Sequence, residues 1–163
     1  MTVRPGLALA ALALASVLAG GCGGSERLSR DEYLARLTEL RARVDAAERE
    51  IRATIGPDTA VAEIGQALAR FAQVHEQVAE KLAALEPPGE LREVNELAVQ
   101  GHEQFAADLI DIERELDSVN GRDAAFGLVE RRLASAPGAR QLEAALERFR
   151  KLGIRLETEG DGA

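Results

Sequence analysis

Between Val61 and Leu85 apolar side chains recur at alternating spacings of 3 and 4 residues, through Ile64, Leu68, Phe71, Val78 and Leu82, with His75 taking one place in the series. Only a helix gathers such positions into one stripe, and a sustained 3-4 alternation makes a seam suited to left-handed packing against another helix. Gly56-Pro57-Asp58 precedes the stretch and Glu86-Pro87-Pro88-Gly89 follows it. Proline offers no amide to the helical ladder and excludes the helical conformation from the residue before it, so the chain must turn at both places.

The neighbouring segments obey the same rule. Ser29-Arg30-Asp31-Glu32 has the form of a capping box, and Leu37, Leu40, Val44, Ala47, Ile51 and Ile55 continue from it as one face. The spacing predicts a second helix from about Thr59 to Leu85 and a third through Leu91, Val94, Ala98, Gly101, Phe105, Leu109, Ile112, Leu116 and Val119, closed by a left-handed turn at Asn120-Gly121. A last segment, capped by Asp123, carries Phe126, Val129, Leu133, Leu142, Leu146, Phe149 and Leu152 and is interrupted by Pro137-Gly138, where a break or kink is expected. Gly153 closes it, Ile154 to Leu156 packs as a short extended end, and 158–163 reads as a disordered tail. The expectation is an all-α domain over 29–157, an up-down-up-down four-helix bundle with its fourth helix kinked or split near Pro137.

Residues 1–21 read differently. One cation, Arg4, precedes an apolar run from Leu7 to Ala19 that falls short of the ~20 residues needed to cross a bilayer, which is the pattern of a removable signal peptide. Leu18-Ala19-Gly20-Gly21-Cys22 resembles the bacterial lipobox, in which the cysteine thiol receives a diacylglycerol before cleavage. Cys22 is the only cysteine, so the lipid would consume it and leave no thiol or disulfide chemistry. At ~3.5 Å per residue the linker 22–28 reaches at most about 25 Å, which holds the domain near the membrane.

A net charge of −8, with no basic run, argues against nucleic acid and anionic lipid surfaces as partners. Membrane attachment through a lipid anchor on Cys22, at the extracytoplasmic face of the cell membrane, is what remains. Catalytic groups are scarce. Ser25, Ser29, Ser118 and Ser135 sit in linker, cap or turn settings without a base nearby, and Glu113, Glu115, Asp108, Asp111 and Asp117 read as a solvated acidic face of the third helix. Phe71, Phe105, Phe126 and Phe149 read as core layers, and Tyr33 fits either a half-buried anchor or an exposed contact.

The two histidines are the sharpest candidates. Across an antiparallel hairpin turning at Pro87-Pro88, His75 and His102 fall at one height, with Glu76 and Glu103 beside them. Two imidazoles with carboxylates can hold a transition metal, or two imidazoles a haem iron, but a third convergent ligand and the Glu-x-x-His repeat of di-iron bundles are missing from the pattern. No cofactor is therefore assigned.

Asp31-Glu32-Tyr33, the Leu85-Glu86-Pro87-Pro88-Gly89-Glu90-Leu91 turn, Asp123-Ala124-Ala125-Phe126 and Leu152-Gly153-Ile154-Arg155-Leu156 resemble an uncharacterised family of small all-helical lipoproteins and secreted proteins of actinobacterial type. These motifs are structural punctuation and imply the fold without an activity. Members of that family often carry cysteines where this chain has Arg41 and Glu157, so the resemblance implies an Arg41–Glu157 ion pair in place of a disulfide. Such a pair contributes ~0–1 kcal/mol when exposed, against ~2–4 for the covalent link. The function expected from these readings is a non-enzymatic, membrane-anchored lipoprotein with a structural or protein-interaction role toward another envelope protein. The alternative is a bundle that binds a small ligand, metal or haem through His75 and His102.

Overall fold

The computed structural model describes residues 27–56 and 58–156. Among them are five α-helices, α1 Arg30–Thr54, α2 Val61–Ala83, α3 Arg92–Leu116, α4 Arg122–Ser135 and α5 Pro137–Lys151, with one turn of 3₁₀ helix at Gly89–Leu91 and no strand. The all-α expectation holds, and the last segment is two helices. Cys22, the signal-peptide reading, Glu157 and the tail expected at 158–163 lie outside the described residues.

The ends of the helices follow from local hydrogen bonding. The capping box at α1 is formed: Glu32 N donates to Ser29 Oγ at 3.3 Å, and Glu32 Oε2 accepts from Ser29 N at 2.9 Å. Thr59 does not start α2, because its hydroxyl is committed to the end of α1, donating to Thr54 O at 2.9 Å and accepting from Gly56 N at 2.8 Å. Helix α2 begins two residues later, where Glu63 accepts from the amide of Ala60. Asp123 is likewise not a cap. Gly121 holds the N-cap of α4 at φ +96°, a conformation that suits glycine, and Asp123 lies in the first turn, where a negative charge meets the positive end of the helix dipole. Gly153, at φ +76°, closes α5 as expected, with Ile154 N donating to Phe149 O at 2.9 Å.

Packing is in two clusters. At one end Tyr33, Leu37, Leu40 and Val44 of α1 meet Val78 and Leu82 of α2, Leu91, Val94 and Ala98 at the start of α3, and Ala145, Phe149 and Ile154. Leu28 N donates to Glu86 O at 2.9 Å and Arg30 Nη2 to Leu152 O at 2.8 Å, so the start of α1, the α2–α3 turn and the end of α5 are tied together there. Tyr33, left undecided from sequence, is fully buried. Its hydroxyl donates to Asn95 Oδ1 at 2.9 Å, and Asn95 Nδ2 donates to Leu82 O at 3.1 Å. The second cluster joins Ile64, Leu68 and Ala72 of α2 with Ala106, Leu109, Ile112 and Leu116 of α3 and with Ala125 and Val129 of α4.

Helices α3 and α5 approach most closely through two glycines. A Cβ on Gly138 would overlap the backbone of Phe105 and lie 2.7 Å from the carbonyl carbon of Gln104, and one on Gly101 would lie 3.1 Å from Leu142 N. Gly138 N also donates to Asp108 Oδ2 at 2.8 Å. Asp108 therefore leaves the solvated acidic face assigned to it and serves as an acceptor for the first turn of α5, where the helix dipole favours an anion.

Gly138→Ala is expected to destabilise the fold by about 3 kcal/mol or more, because backbone atoms cannot yield to the added methyl as a side chain would. Gly65→Ala supplies the contrast. Its nearest neighbour would be Glu113 Cγ at 3.6 Å, an ordinary contact, so the helix gains about 0.5–1 kcal/mol from the lost chain entropy of glycine. Urea unfolding midpoints of the two variants should move in opposite directions.

Candidate functional site

Helices α2 and α3 run as a hairpin, and the register set by the Pro87-Pro88 turn brings their histidines into contact. His75 Nδ1 lies 2.8 Å from His102 Nδ1, with ring centroids 4.9 Å apart. One nitrogen must donate and the other accept, so the contact couples the tautomers of the two rings. Phe71 and Phe105 present edge-on contacts to His75 at 4.7 and 4.8 Å. Only 2% of His75 is exposed, and its Nε2 has no hydrogen-bond partner. Burial, then the neighbouring His102 and Arg41, push the His75 pKa down to about 3; burial and Arg41 push that of His102 down to about 4. Both rings are neutral at neutral pH.

Arg41 comes down from α1 onto this pair. Its Nε is 2.9 Å from Asp45 Oδ1, an ion pair in which Nε–H is not directed for a hydrogen bond. The pairing implied for Arg41 with Glu157 falls on a residue outside the described chain. Arg41 and His75 share the walls of two concavities with Val44 and Leu142. One is an inner chamber of about 80 Å³ among α1, α2, α3 and α5, which His102 also lines. The other is a cleft of about 620 Å³, with α2 and α3 as its floor, α1 and α4 as its walls and the start of α5 at one end.

The cleft is mainly apolar, lined by Ile51, Leu68, Phe71, Phe105, Leu109, Phe126, Val129 and Leu133 among others. Arg41, Glu48, Arg52 and Glu130 supply its charged lining, and Arg52 is engaged by Glu48 one helical turn away. Here the expectation for the phenylalanines changes. Phe149 is buried in the core as expected, whereas Phe71, Phe105 and Phe126 are half-buried and face this cleft. Phe71 and Phe105 stack edge to face at 6.1 Å.

The remaining sequence candidates resolve into structural roles. Ser29 caps α1, its hydroxyl accepting from Glu32 N and donating to Glu32 Oε2, while Ser118 donates to Glu115 O at 2.7 Å and Ser135 to Arg131 O at 2.9 Å, so these hydroxyls are committed to local structure. Glu115 pairs with Arg132 at 2.9 Å and Asp111 with Arg114 at 3.0 Å, as exposed surface pairs. The direct contact of His75 Nδ1 with His102 Nδ1 leaves no space for a metal between those two nitrogens. Among the described residues no group of three or more His, Cys, Asp or Glu side chains is placed to hold a metal ion. Sequence reasoning found the histidines from register alone but missed the cleft, the Arg41–Asp45 pair and the Tyr33–Asn95 link. The cleft and the Tyr33–Asn95 link depend on which helices diverge and which meet, whereas the Arg41–Asp45 pair is an i, i+4 spacing within α1 that the sequence itself displays.

The chain has no match among protein-family models, curated proteins or solved structures.

The two histidines set a pH dependence whose sign is fixed. Their folded pKa values lie below the ordinary 6.5, so the unfolded chain binds protons that the folded chain refuses between pH 6.5 and about 3 to 4. Their contribution is therefore at its full value above pH 6.5 and declines as the pH falls through that window. The melting temperature should be lower at pH 5 than at pH 7, and a His75→Leu/His102→Leu double variant should show a shallower fall. Parallel curves for the two proteins would refute the assignment.

Proposed function

We propose that this chain is a membrane-anchored extracytoplasmic lipoprotein, held by a lipid on Cys22, whose helical bundle takes up an apolar small molecule in the cleft between α1 and α4. In this reading the domain is an up-down-up-down four-helix bundle with its fourth segment split at Pro137, of the actinobacterial lipoprotein type that its motifs resemble, and it binds rather than catalyses. The observation that carries the proposal is the 620 Å³ apolar cleft, lined by His75 and by three half-buried phenylalanines, Phe71 and Phe105 on its floor and Phe126 on a wall. Ligand sites are typically concavities of roughly 300–1,000 Å³, apolar with a few placed polar groups.

The sequence alone puts a structural or protein-interaction role first. The cleft moves the small-ligand alternative ahead of it, because a spacer or scaffold has no need to leave three large aromatic side chains partly exposed along one channel. The anchored location is supported by the lipobox-like run ending at Cys22 and by the acidic charge of the domain, which disfavours adhesion to anionic headgroups. No helix among the described residues is long and apolar enough to cross a membrane, so attachment in this reading rests on the lipid.

Nile red, a neutral apolar dye, should bind the protein saturably, and Leu133→Trp, which fills the cleft from the α4 wall, should abolish binding without loss of helical circular dichroism. Absence of dye binding by the unsubstituted protein refutes the cleft as a ligand site. Fractionation tests the anchor: Cys22→Ser should leave the membrane fraction, and its retention there would refute lipid attachment.

A further inference from the structure

Among the described residues two buried nitrogens make no hydrogen bond, Arg41 Nε having only its ion-pair contact with Asp45, and they belong to side chains that line the same two concavities. Arg41 Nε and His75 Nε2 make no hydrogen bond, while Arg41 and His75 both border the 80 Å³ chamber and the 620 Å³ cleft. A buried polar group without a hydrogen bond is costly, so two such donors beside a cavity are where an external acceptor would be most rewarded.

The chemistry of the two nitrogens defines that group. Arg41 Nε is a donor in every protonation state reached near neutral pH. His75 Nε2 carries its hydrogen whenever His102 donates the Nδ1···Nδ1 bond, which the 2.8 Å contact permits. The site then offers two donors, and their complement is an acceptor with several lone pairs. Asp45 balances the charge of Arg41 without engaging Nε–H, and the five N–H groups of a guanidinium suffice for Asp45 and a second acceptor together. The chamber has room for a small head group, and the cleft that shares its walls has room for a long apolar chain.

We propose that the chamber and cleft together form a binding site for a long-chain carboxylic acid, its carboxyl group accepting hydrogen bonds from Arg41 Nε and His75 Nε2 and its chain lying along Phe71, Phe105, Phe126, Val129 and Leu133. This assignment rests on the reading of the cleft as a ligand site and adds the head-group chemistry. A ligand whose head is only a donor has nothing to meet at Arg41 and is disfavoured by the guanidinium charge.

The test uses the mature chain, residues 22–163, carrying Cys22→Ser in place of the lipid, with Nile red as the reporter. Palmitate and hexadecylamine, which share a chain length and differ in head group, are titrated as competitors below their micelle concentrations. Palmitate should displace the dye at least about tenfold more tightly than the amine, since each hydrogen bond to a charged group contributes an effect of that order. Arg41→Met and His75→Phe should each reduce that preference while still binding dye. Equal displacement by the two competitors on the unsubstituted protein overturns the head-group site and leaves the apolar cleft standing, and it does so even where a variant fails to fold. A palmitate preference that survives unchanged in both folded variants overturns it as well. A protein that binds no dye removes the cleft and the head-group site together.

Discussion

The close approach of α3 and α5 is the constraint on which the rest of the molecule depends. Where Gly138 meets the backbone of Gln104 and Phe105 the two helices touch without an intervening side chain, and at Gly101 the Leu142 side chain packs directly over the backbone. That contact, reinforced by Asp108 accepting from the Gly138 amide, fixes α5 in height and rotation. Leu142 is thereby placed in the partition between chamber and cleft. The chain leaves α4 at Ala136 with an extended ψ of 122° and re-enters a helix at Pro137, whose missing amide costs nothing at a first helical position. The two halves of the last segment can therefore lie at different distances from the rest. Helix α5 closes over the first half of α1, while α4 buries only Ala125 and Val129 and stands across the cleft from the second half of α1.

Two polar links cross the α2–α3 interface, and they differ in how completely they are satisfied. The Tyr33–Asn95–Leu82 chain is closed: hydroxyl, amide and carbonyl all find partners within 3.1 Å. A satisfied buried network of this kind fixes register, because sliding α3 by one residue would strand Asn95 among apolar neighbours. The histidine pair lies further from the hairpin turn and is open at one end, with His75 Nε2 unpartnered. A pair retained only to set register would do so equally well at a position where both ring nitrogens could be satisfied. The open end sits instead on the residue that lines both concavities, so incomplete bonding and available space coincide.

The sequence spelled out what is local. The capping box at Ser29, the breaks at the Pro-Pro-Gly turn and at Pro137, the closure at Gly153 and the meeting of His75 with His102 all follow from neighbours along one helix or one hairpin. What failed was competition for the same residue. Thr59 and Asp123 have the chemistry of caps, yet the Thr59 hydroxyl is captured by the end of α1, and Gly121 can take a positive φ that leaves Asp123 inside the helix. Pro137-Gly138 reads as simple punctuation because both residues break helices, and nothing in their order reveals that glycine is there to admit another backbone. Phe71, Phe105 and Phe126 occupy helical-stripe positions no different in spacing from buried ones. Their partial exposure arises from the separation of α1 and α4, a property of the whole assembly.

The cleft also bears on stability. Large aromatic side chains contribute most to folding when fully buried, and this chain has only five, four Phe and one Tyr. Tyr33 and Phe149 are enclosed in the first cluster, where Ala98 and Ala145 let the helices draw close around them. The other three remain half-buried beside the second cluster, whose Ala72, Ala106 and Ala125 equally permit close approach of α2, α3 and α4. Small residues are thus available in both halves, and only one half has closed. At Ile51 and Ile55 the face of α1 continues with side chains large enough to fill the gap, yet they are themselves only partly buried. The charges along the α1 side, Glu48 with Arg52 and Asp45 with Arg41, pair within α1 and need no partner on α4 to draw the walls together. Apolar surface thus borders the opening on both sides and the charges along its α1 wall are already paired, so the second cluster forgoes burial that the first cluster achieves.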